Sequence, residues 1–115
     1  MELTTEVVSK YVGGQLEIQN SSEHYLYRGE VERALVEGTT LHVKFKWQAQ
    51  MGDDFEWHAE NDLDYSVSLE IYGVSEIGDG RIALNSPYTH ELAVFFPPDG
   101  SKLDPSKVIG LQLAS

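Results

Sequence analysis

The most regular pattern in this sequence is the alternation of apolar and polar side chains between residues 41 and 49. The odd positions carry Leu41, Val43, Phe45, Trp47 and Ala49, and the even positions carry His42, Lys44, Lys46 and Gln48. Successive side chains of a β-strand point to opposite faces, so the pattern predicts a strand with one buried and one solvated face. A second alternating stretch follows, with Phe55, Trp57 and Ala59 between Glu56, His58 and Glu60.

These two stretches are predicted to pair as an antiparallel hairpin around the segment 50–54. Residues directly opposite each other share a face, so apolar side chains should lie opposite apolar ones. This match pairs Ala49 with Phe55, Trp47 with Trp57 and Phe45 with Ala59, and on the other face Gln48 with Glu56, Lys46 with His58 and Lys44 with Glu60. Only a loop of odd length preserves the match, which predicts three or five loop residues. The four large aromatic side chains of the hairpin are then predicted to lie in the core.

Shorter alternating segments, separated by Gly, Pro, Asn and Asp, predict five further strands at 16–18, 25–36, 67–71, 81–84 and 90–96. Glu37-Gly38 predicts a tight connection, and Asp104-Pro105 predicts one helical turn near the C-terminus, because Asp caps helices and Pro suits their first position. Seven short strands favour an all-β fold, either a small antiparallel barrel or a two-sheet sandwich. The 115 residues correspond to a single domain over 1–115.

The charge balance is strongly acidic, with 19 Asp and Glu against 8 Lys and Arg and a formal net charge of -11. Such a chain is unsuited to nucleic acid, whose phosphates are bound with Lys and Arg, and to anionic lipid surfaces. It favours a protein partner with a basic surface, or high solubility alone.

Compartment and membrane signals are few. The chain has no Cys, which excludes disulfides and thiolate chemistry and fits the reducing cytoplasm. The segment 1–6 is neither basic nor apolar, so it does not resemble a secretory signal. No stretch approaches the roughly 18 apolar residues of a spanning helix. We therefore expect a cytoplasmic protein that does not bind membranes.

One acidic block is the candidate binding site. It consists of Asp53, Asp54, Glu56, His58, Glu60, Asp62 and Asp64. Its spacing does not match the calcium loop of helix–loop–helix proteins, and successive carboxylates on a strand point apart. A solvated surface, partly neutralised by Lys44 and Lys46, and a surface for a basic partner are the alternatives that remain. We expect no metal ion.

Catalytic signatures are missing. His24, His42, His58 and His90 lack the spacing of zinc ligands, and no Ser lies in a Gly-x-Ser-x-Gly turn. Gly78-Asp79-Gly80 lacks the Lys and the helix of a phosphate-binding loop. An enzyme is therefore not indicated, and we expect no cofactor.

Three functions are compatible with these features. The favoured one is a non-catalytic interaction module that presents its acidic surface to a basic partner. The second is a self-associating β scaffold, including a homodimer, that pairs through an exposed strand edge at 66–74 or 91–96. The third is an enzyme or small-ligand binder that uses the mouth of a barrel.

Overall fold

The computed structural model describes residues 2–60, 65–87 and 91–112, and these residues contain one antiparallel sheet of eight strands. The strands are β1 (Gln15–Asn20), β2 (Tyr25–Glu37), β3 (Thr40–Met51), β4 (Trp57–Ala59), β5 (Ser66–Glu70), β6 (Gly73–Gly78), β7 (Arg81–Asn85) and β8 (Glu91–Phe96). A short helix, α1 (Thr5–Ser9), precedes the sheet, and a 3-10 turn (Pro105–Lys107) follows it. The all-β prediction is confirmed, whereas α1 and β6 were not predicted.

Two of the local predictions are confirmed. Glu37 pairs with Thr40 across a tight turn, in which Gly38 has a φ of 62° that favours glycine. The carboxylate of Asp104 accepts a hydrogen bond from the Ser106 N–H at 2.9 Å and caps the 3-10 turn. Among the described residues, no helix is long and apolar enough to cross a bilayer.

The strand order is β4-β3-β2-β1-β8-β7-β6, with β5 also paired to β3. The described sheet is not closed by a ladder between its ends. The two residues between β5 and β6 connect the start of β3 to β7, because the Ile71 N–H donates to the Thr39 carbonyl and the Tyr72 N–H to the Asn85 carbonyl. The predicted free edge at 91–96 is wrong, because β8 is hydrogen-bonded to β1 on one side and to β7 on the other.

The main core contains buried apolar side chains from six of the strands, β1, β2, β3, β5, β7 and β8, and from α1. Its buried members are Val8, Tyr11, Leu16, Ile18, Val31, Ala34, Leu41, Val43, Phe45, Leu69, Ile71, Ile82, Leu84, Ala93 and Phe95. The rings of Tyr11 and Phe95 stack with their centroids 5.0 Å apart. Since full burial of a large apolar side chain contributes about 1.5–3 kcal/mol, this cluster supplies much of the stability of the sheet.

A bulge in β3 separates two neighbouring aromatic residues. Val31 lies opposite Phe45 and Glu30 lies opposite Trp47, so Lys46 is an extra residue on β3. Glu30 and Val31 are adjacent and point to opposite faces, and their partners Phe45 and Trp47 therefore do so too.

This bulge corrects the predicted faces of the strand. All five odd residues from Leu41 to Ala49 are buried, as predicted, but Trp47 and Ala49 belong to a different cluster from the three before them. Gln48, predicted to be solvated, is buried and lies opposite Gly29.

The second cluster is covered by the C-terminal segment. Trp47, Ala49 and Val108 are buried in it, and Trp57, Ala59, Leu103 and Leu111 pack around them. The segment is hydrogen-bonded to β4, because the Ile109 N–H donates to the Trp57 carbonyl and the Ala59 N–H to the Ile109 carbonyl, both at 2.9 Å. The two tryptophans therefore share one cluster, as the sequence predicted.

The register of the β3–β4 hairpin differs from the prediction. Ala49 pairs with Ala59 and Met51 with Trp57, so the loop consists of the five residues 52–56. The loop length of five is one of the two lengths predicted, but its predicted position at 50–54 and the predicted pairs are wrong, as is the placement of Phe55 in the core. Sliding an antiparallel pair by an even number of residues keeps apolar opposite apolar, so the alternation alone cannot distinguish the two registers.

Candidate functional site

The candidate site is the loop at the end of the β3–β4 hairpin, residues 52–56, which we call the hairpin tip. Its aromatic side chain, Phe55, is 87% exposed, and the backbone of this residue has a φ of 60° in the left-handed region. Asp53, Asp54 and Glu56 are exposed beside it. The tip therefore presents one large aromatic ring among three carboxylates.

Hydrogen bonds within the tip fix its conformation. The Gly52 N–H donates to the Glu56 carbonyl at 2.9 Å, and the Phe55 N–H donates to the Gly52 carbonyl at 3.0 Å. The Asp54 carboxylate accepts from the Glu56 N–H at 3.0 Å. The exposure of Phe55 is thus held by its hydrogen-bonded neighbours.

Asp54 also connects the tip to β4. Its Oδ1 and Oδ2 lie 3.0 and 2.9 Å from Nε2 of His58. The backbone approaches this pair closely at Gly52, where an added Cβ would stand 2.7 Å from Asp54 Oδ1 and 2.8 Å from His58 Cδ2. Glycine at this position leaves room for the pair.

These contacts lower the pKa of Asp54. The largest cause is the hydrogen bond from the Glu56 N–H, followed by the hydrogen bond from His58. The contacts favour the charged carboxylate, so their stabilisation is present above the ordinary pKa of Asp and is lost as the pH falls through the lowered value.

We expect the substitution His58→Leu to raise the pKa of Asp54 without restoring its ordinary value, because the Glu56 N–H still donates. A pH titration of the Asp54 side-chain carboxyl carbon by NMR measures this change. An unchanged Asp54 pKa in the variant would show that His58 does not stabilise the carboxylate.

The structure brings only part of the predicted acidic block together. Asp54 and His58 are in contact. Asp53 precedes this pair in the chain, and Glu56 lies between its two members. Glu60 follows β4. Burial is the largest cause of the raised pKa of Tyr27 on β2, and the Glu60 carboxylate raises it further. Asp62 and Asp64 lie outside the described residues, as does His90. Within the described ranges, no three His, Asp or Glu side chains are grouped so that they could hold a metal ion.

Among its described residues, the structure shows no ion pair between this block and Lys44 or Lys46, the neutralisation that one of the two alternatives predicted. The Lys44 Nζ lies 3.7 Å from a Glu32 carboxylate oxygen, and the Lys46 Nζ lies 4.0 Å from one of Glu30. Both lysines therefore pair with β2. In the part of the chain that the structure describes, no Lys or Arg forms an ion pair with the hairpin tip.

Comparison with known proteins adds no assignment. The chain matches no protein-family model, no curated protein and no solved structure. The function is therefore inferred from the geometry of the chain itself.

Sequence reasoning missed two features. Phe55 was predicted to be buried because it continues the odd-numbered apolar pattern, although its neighbours Asp54 and Glu56 are charged. Gln48 was predicted to be solvated because it lies at an even position, and the bulge at Lys46 places it in the interior instead. Only the charged neighbours of Phe55 were a signal in the sequence.

Proposed function

We propose that this protein is a non-catalytic interaction module that docks on a basic surface of another protein through the hairpin tip. The exposure of Phe55 among Asp53, Asp54 and Glu56 is the observation that carries this proposal. Buried aromatic side chains dominate the binding energy of many interfaces. Carboxylates around such an anchor favour a basic rim on the partner and accelerate the encounter.

The energetics of Phe55 support a role outside the monomer. Burying a phenylalanine side chain stabilises a fold by about 1.5–3 kcal/mol. Phe55 does not contribute this stabilisation to the monomer, because its side chain is exposed. A left-handed conformation at a residue other than glycine costs about 1–3 kcal/mol, and such residues cluster at functional sites. A partner with an apolar pocket would recover the burial term on binding.

The net charge of -11 supports a partner of opposite charge. Exposed charges are screened beyond about 8 Å at physiological ionic strength, so association should slow as salt is added. We place the interaction in the cytoplasm, where the lack of Cys is unremarkable.

We expect Phe55→Ala to weaken partner binding at least about tenfold, which is the effect of losing an interface anchor of about 1.4 kcal/mol or more. The free energy of unfolding should stay nearly unchanged, because Phe55 is exposed. Partners captured by the wild-type chain would be purified, and their affinities measured by calorimetry at two salt concentrations. The double variant Asp53→Asn, Glu56→Gln should bind more weakly and with a smaller salt dependence.

Tyr72→Ala is the matched control, because Tyr72 is another aromatic side chain and is 74% exposed outside the tip. This variant should bind with wild-type affinity. Equal affinity of the wild type and Phe55→Ala for every purified partner would overturn the proposal. Recovery of acidic partners only would also overturn it.

A further inference from the structure

A depression of about 290 Å³ lies on the outer face of β2, β3 and β5, apart from the hairpin tip, and we call it the outer depression. For scale, an engineered cavity of about 150 Å³ accepts benzene. The outer depression therefore has room for a small organic molecule. Its lining includes six exposed or half-buried side chains: Arg33, Leu35, His42, Lys44, Ser66 and Ser68.

The register of the three strands forms a row of hydrogen-bond donors across this face. Arg33 lies opposite Lys44, and Lys44 lies opposite Ser66. Residues directly opposite each other share a face, and neighbouring strands are about 4.8 Å apart. The guanidinium, the ammonium and the hydroxyl are therefore close enough to contact one group.

The pairing of Arg33 with Lys44 is unusual in so acidic a chain. Like charges directly opposite each other destabilise an antiparallel ladder. Arg33 forms no ion pair within residues 2–60, 65–87 and 91–112. The Lys44 Nζ lies 3.7 Å from a Glu32 carboxylate oxygen, and both of these side chains are 50% exposed. An anion bound between the two cations would replace their repulsion with two attractions.

A second row of side chains lies beside the first. Leu35 lies opposite His42, and His42 lies opposite Ser68. The Nδ1 of His42 lies 2.8 Å from the Ser68 Oγ, so this hydrogen bond orients the imidazole. When the Ser68 hydroxyl donates to Nδ1, the Nε2–H of the ring is left to donate to a ligand. Leu35 is half-buried and offers an apolar contact beside these donors.

Negative charge on this face lies at its other end. The row beyond His42 consists of Glu37, Thr40 and Glu70. The Glu70 carboxylate accepts a hydrogen bond from the Thr40 hydroxyl at 2.6 Å. An anion is therefore favoured at the row that carries the two cations.

We propose that the outer depression binds a small phosphate monoester. Arg33 and Lys44 hold two of the phosphate oxygens, and the Ser66 hydroxyl donates to the third. The carbon body of the ester lies against Leu35. A phosphate monoester carries a charge of about -1.5 to -2 at pH 7 and three terminal oxygens, so it matches two cations and a hydroxyl better than a carboxylate does.

Phenyl phosphate is the test probe, compared with inorganic phosphate and with phenol. Titrations followed by ¹H–¹⁵N NMR at neutral pH should show saturable shifts around Arg33, Lys44 and Ser66. Phenyl phosphate should bind at least about tenfold more tightly than phenol, because phenol lacks the charged oxygens. It should also bind more tightly than inorganic phosphate, which makes no contact with Leu35.

Three results of these titrations would overturn the proposal. The first is the absence of saturable shifts with millimolar phenyl phosphate. The second is equally tight binding of phenol, and the third is equally tight binding of inorganic phosphate, which would exclude a contribution from the carbon body.

Arg33→Gln tests the guanidinium. We expect its affinity for phenyl phosphate to fall at least about tenfold, because a charge-assisted contact is lost. Its midpoint of urea denaturation should not fall, because the substitution removes the repulsion between Arg33 and Lys44. A lower midpoint with unchanged affinity would show that Arg33 is purely structural and would overturn the proposal.

Lys107→Gln is the matched control, because it removes the same charge from the 3-10 turn, outside the outer depression. This variant should bind phenyl phosphate like the wild type. Equal losses of affinity in Lys107→Gln and Arg33→Gln would show that net charge alone is responsible, contrary to the proposed site.

Glu32→Gln removes the carboxylate that competes with the ligand for Lys44. We expect phenyl phosphate to bind about twofold more tightly or better, since an exposed ion pair is weak. Weaker binding in this variant would contradict the contact between Lys44 and the phosphate.

Vesicles that contain phosphatidic acid present a phosphate monoester on a membrane. The protein should not sediment with them, because a vesicle meets the whole surface of a chain with a net charge of -11, whereas a small ester meets only the cationic row. Co-sedimentation would assign the site to a lipid headgroup and overturn the small-molecule assignment.

Phe55→Ala separates this proposal from the one made for the hairpin tip. It should bind phenyl phosphate like the wild type, because Phe55 does not line the outer depression. Loss of phenyl phosphate binding in Phe55→Ala would place the phosphate at the tip and overturn the assignment to the outer depression.

Discussion

Gly14→Ala is expected to lower the free energy of unfolding by about 3 kcal/mol, the upper end of the usual cost of overpacking. An added Cβ would overlap the Phe96 carbonyl oxygen and would stand 3.0 Å from both the Pro97 carbonyl carbon and the Tyr11 carbonyl oxygen. All three are backbone atoms, so no side-chain rotation relieves the clash. The residue also precedes β1, whose first pair is Gln15 with Phe96, and a shift there displaces the β1–β8 ladder.

Gly73→Ala is the control for this prediction. Gly73 begins β6, and an added Cβ there would meet no atom nearer than the Asn85 side-chain nitrogen at 3.5 Å. Its stability should change by less than about 1 kcal/mol. Urea denaturation of both variants measures the difference, with an unchanged slope showing that the same surface unfolds. Equal midpoints would contradict the predicted backbone clash.

Trp47→Ala is expected to cost about 3–5 kcal/mol and to release the C-terminal segment from β4. Trp47 is 2% exposed and lies in the cluster that holds Val108 and Leu111. Without its indole, the segment keeps few apolar contacts, so we expect it to detach while the sheet remains folded. Hydrogen exchange should show lost protection at the Ile109 and Ala59 amides, which are bonded between β4 and this segment. The Val31 amide, bonded to the Gly14 carbonyl, should remain protected.

Phe45→Ala provides the comparison, because Phe45 lies two residues earlier in β3 and in the main core. Like Trp47→Ala, it should lower the free energy of unfolding by about 3–5 kcal/mol. The amides of Ile109 and Ala59 should lose no more protection than that of Val31. Identical exchange patterns in the two variants would show that the two clusters are not independent, contrary to the register of β3.

The alternating pattern predicted the strands well but not the faces of the long strand. Both faces of β3 are covered near Trp47 and Ala49. Apolar residues at these positions therefore fit the predicted regular strand as well as the observed bulged one. The bulge depends on the pairing of Glu30 and Val31 with β3, which is a property of two segments together. The register of the β3–β4 hairpin is also a property of two segments. A shift by an even number of residues keeps apolar opposite apolar, so alternation alone could not reveal it.

The candidate site was predictable in its charge and not in its shape. Asp53, Asp54 and Glu56 are adjacent in sequence, so their concentration of charge was evident. The outward position of Phe55 depends on its left-handed backbone and on the Asp54 hydrogen bonds, which hydrophobic alternation does not encode.

The position of β1 between β2 and β8 determines the order in which this chain can fold. The β2–β3 turn is local, and an isolated hairpin forms within about 1–10 μs. The β1–β8 ladder joins distant parts of the chain, and the nearby Gln15 and Leu103 are 88 positions apart. Pairing over such separations is slow, because the entropy of closing the loop is lost before any contact forms. During synthesis, the β8 side of β1 therefore stays unpaired until β8 has left the ribosome. A chaperone that binds exposed strands would act in that interval.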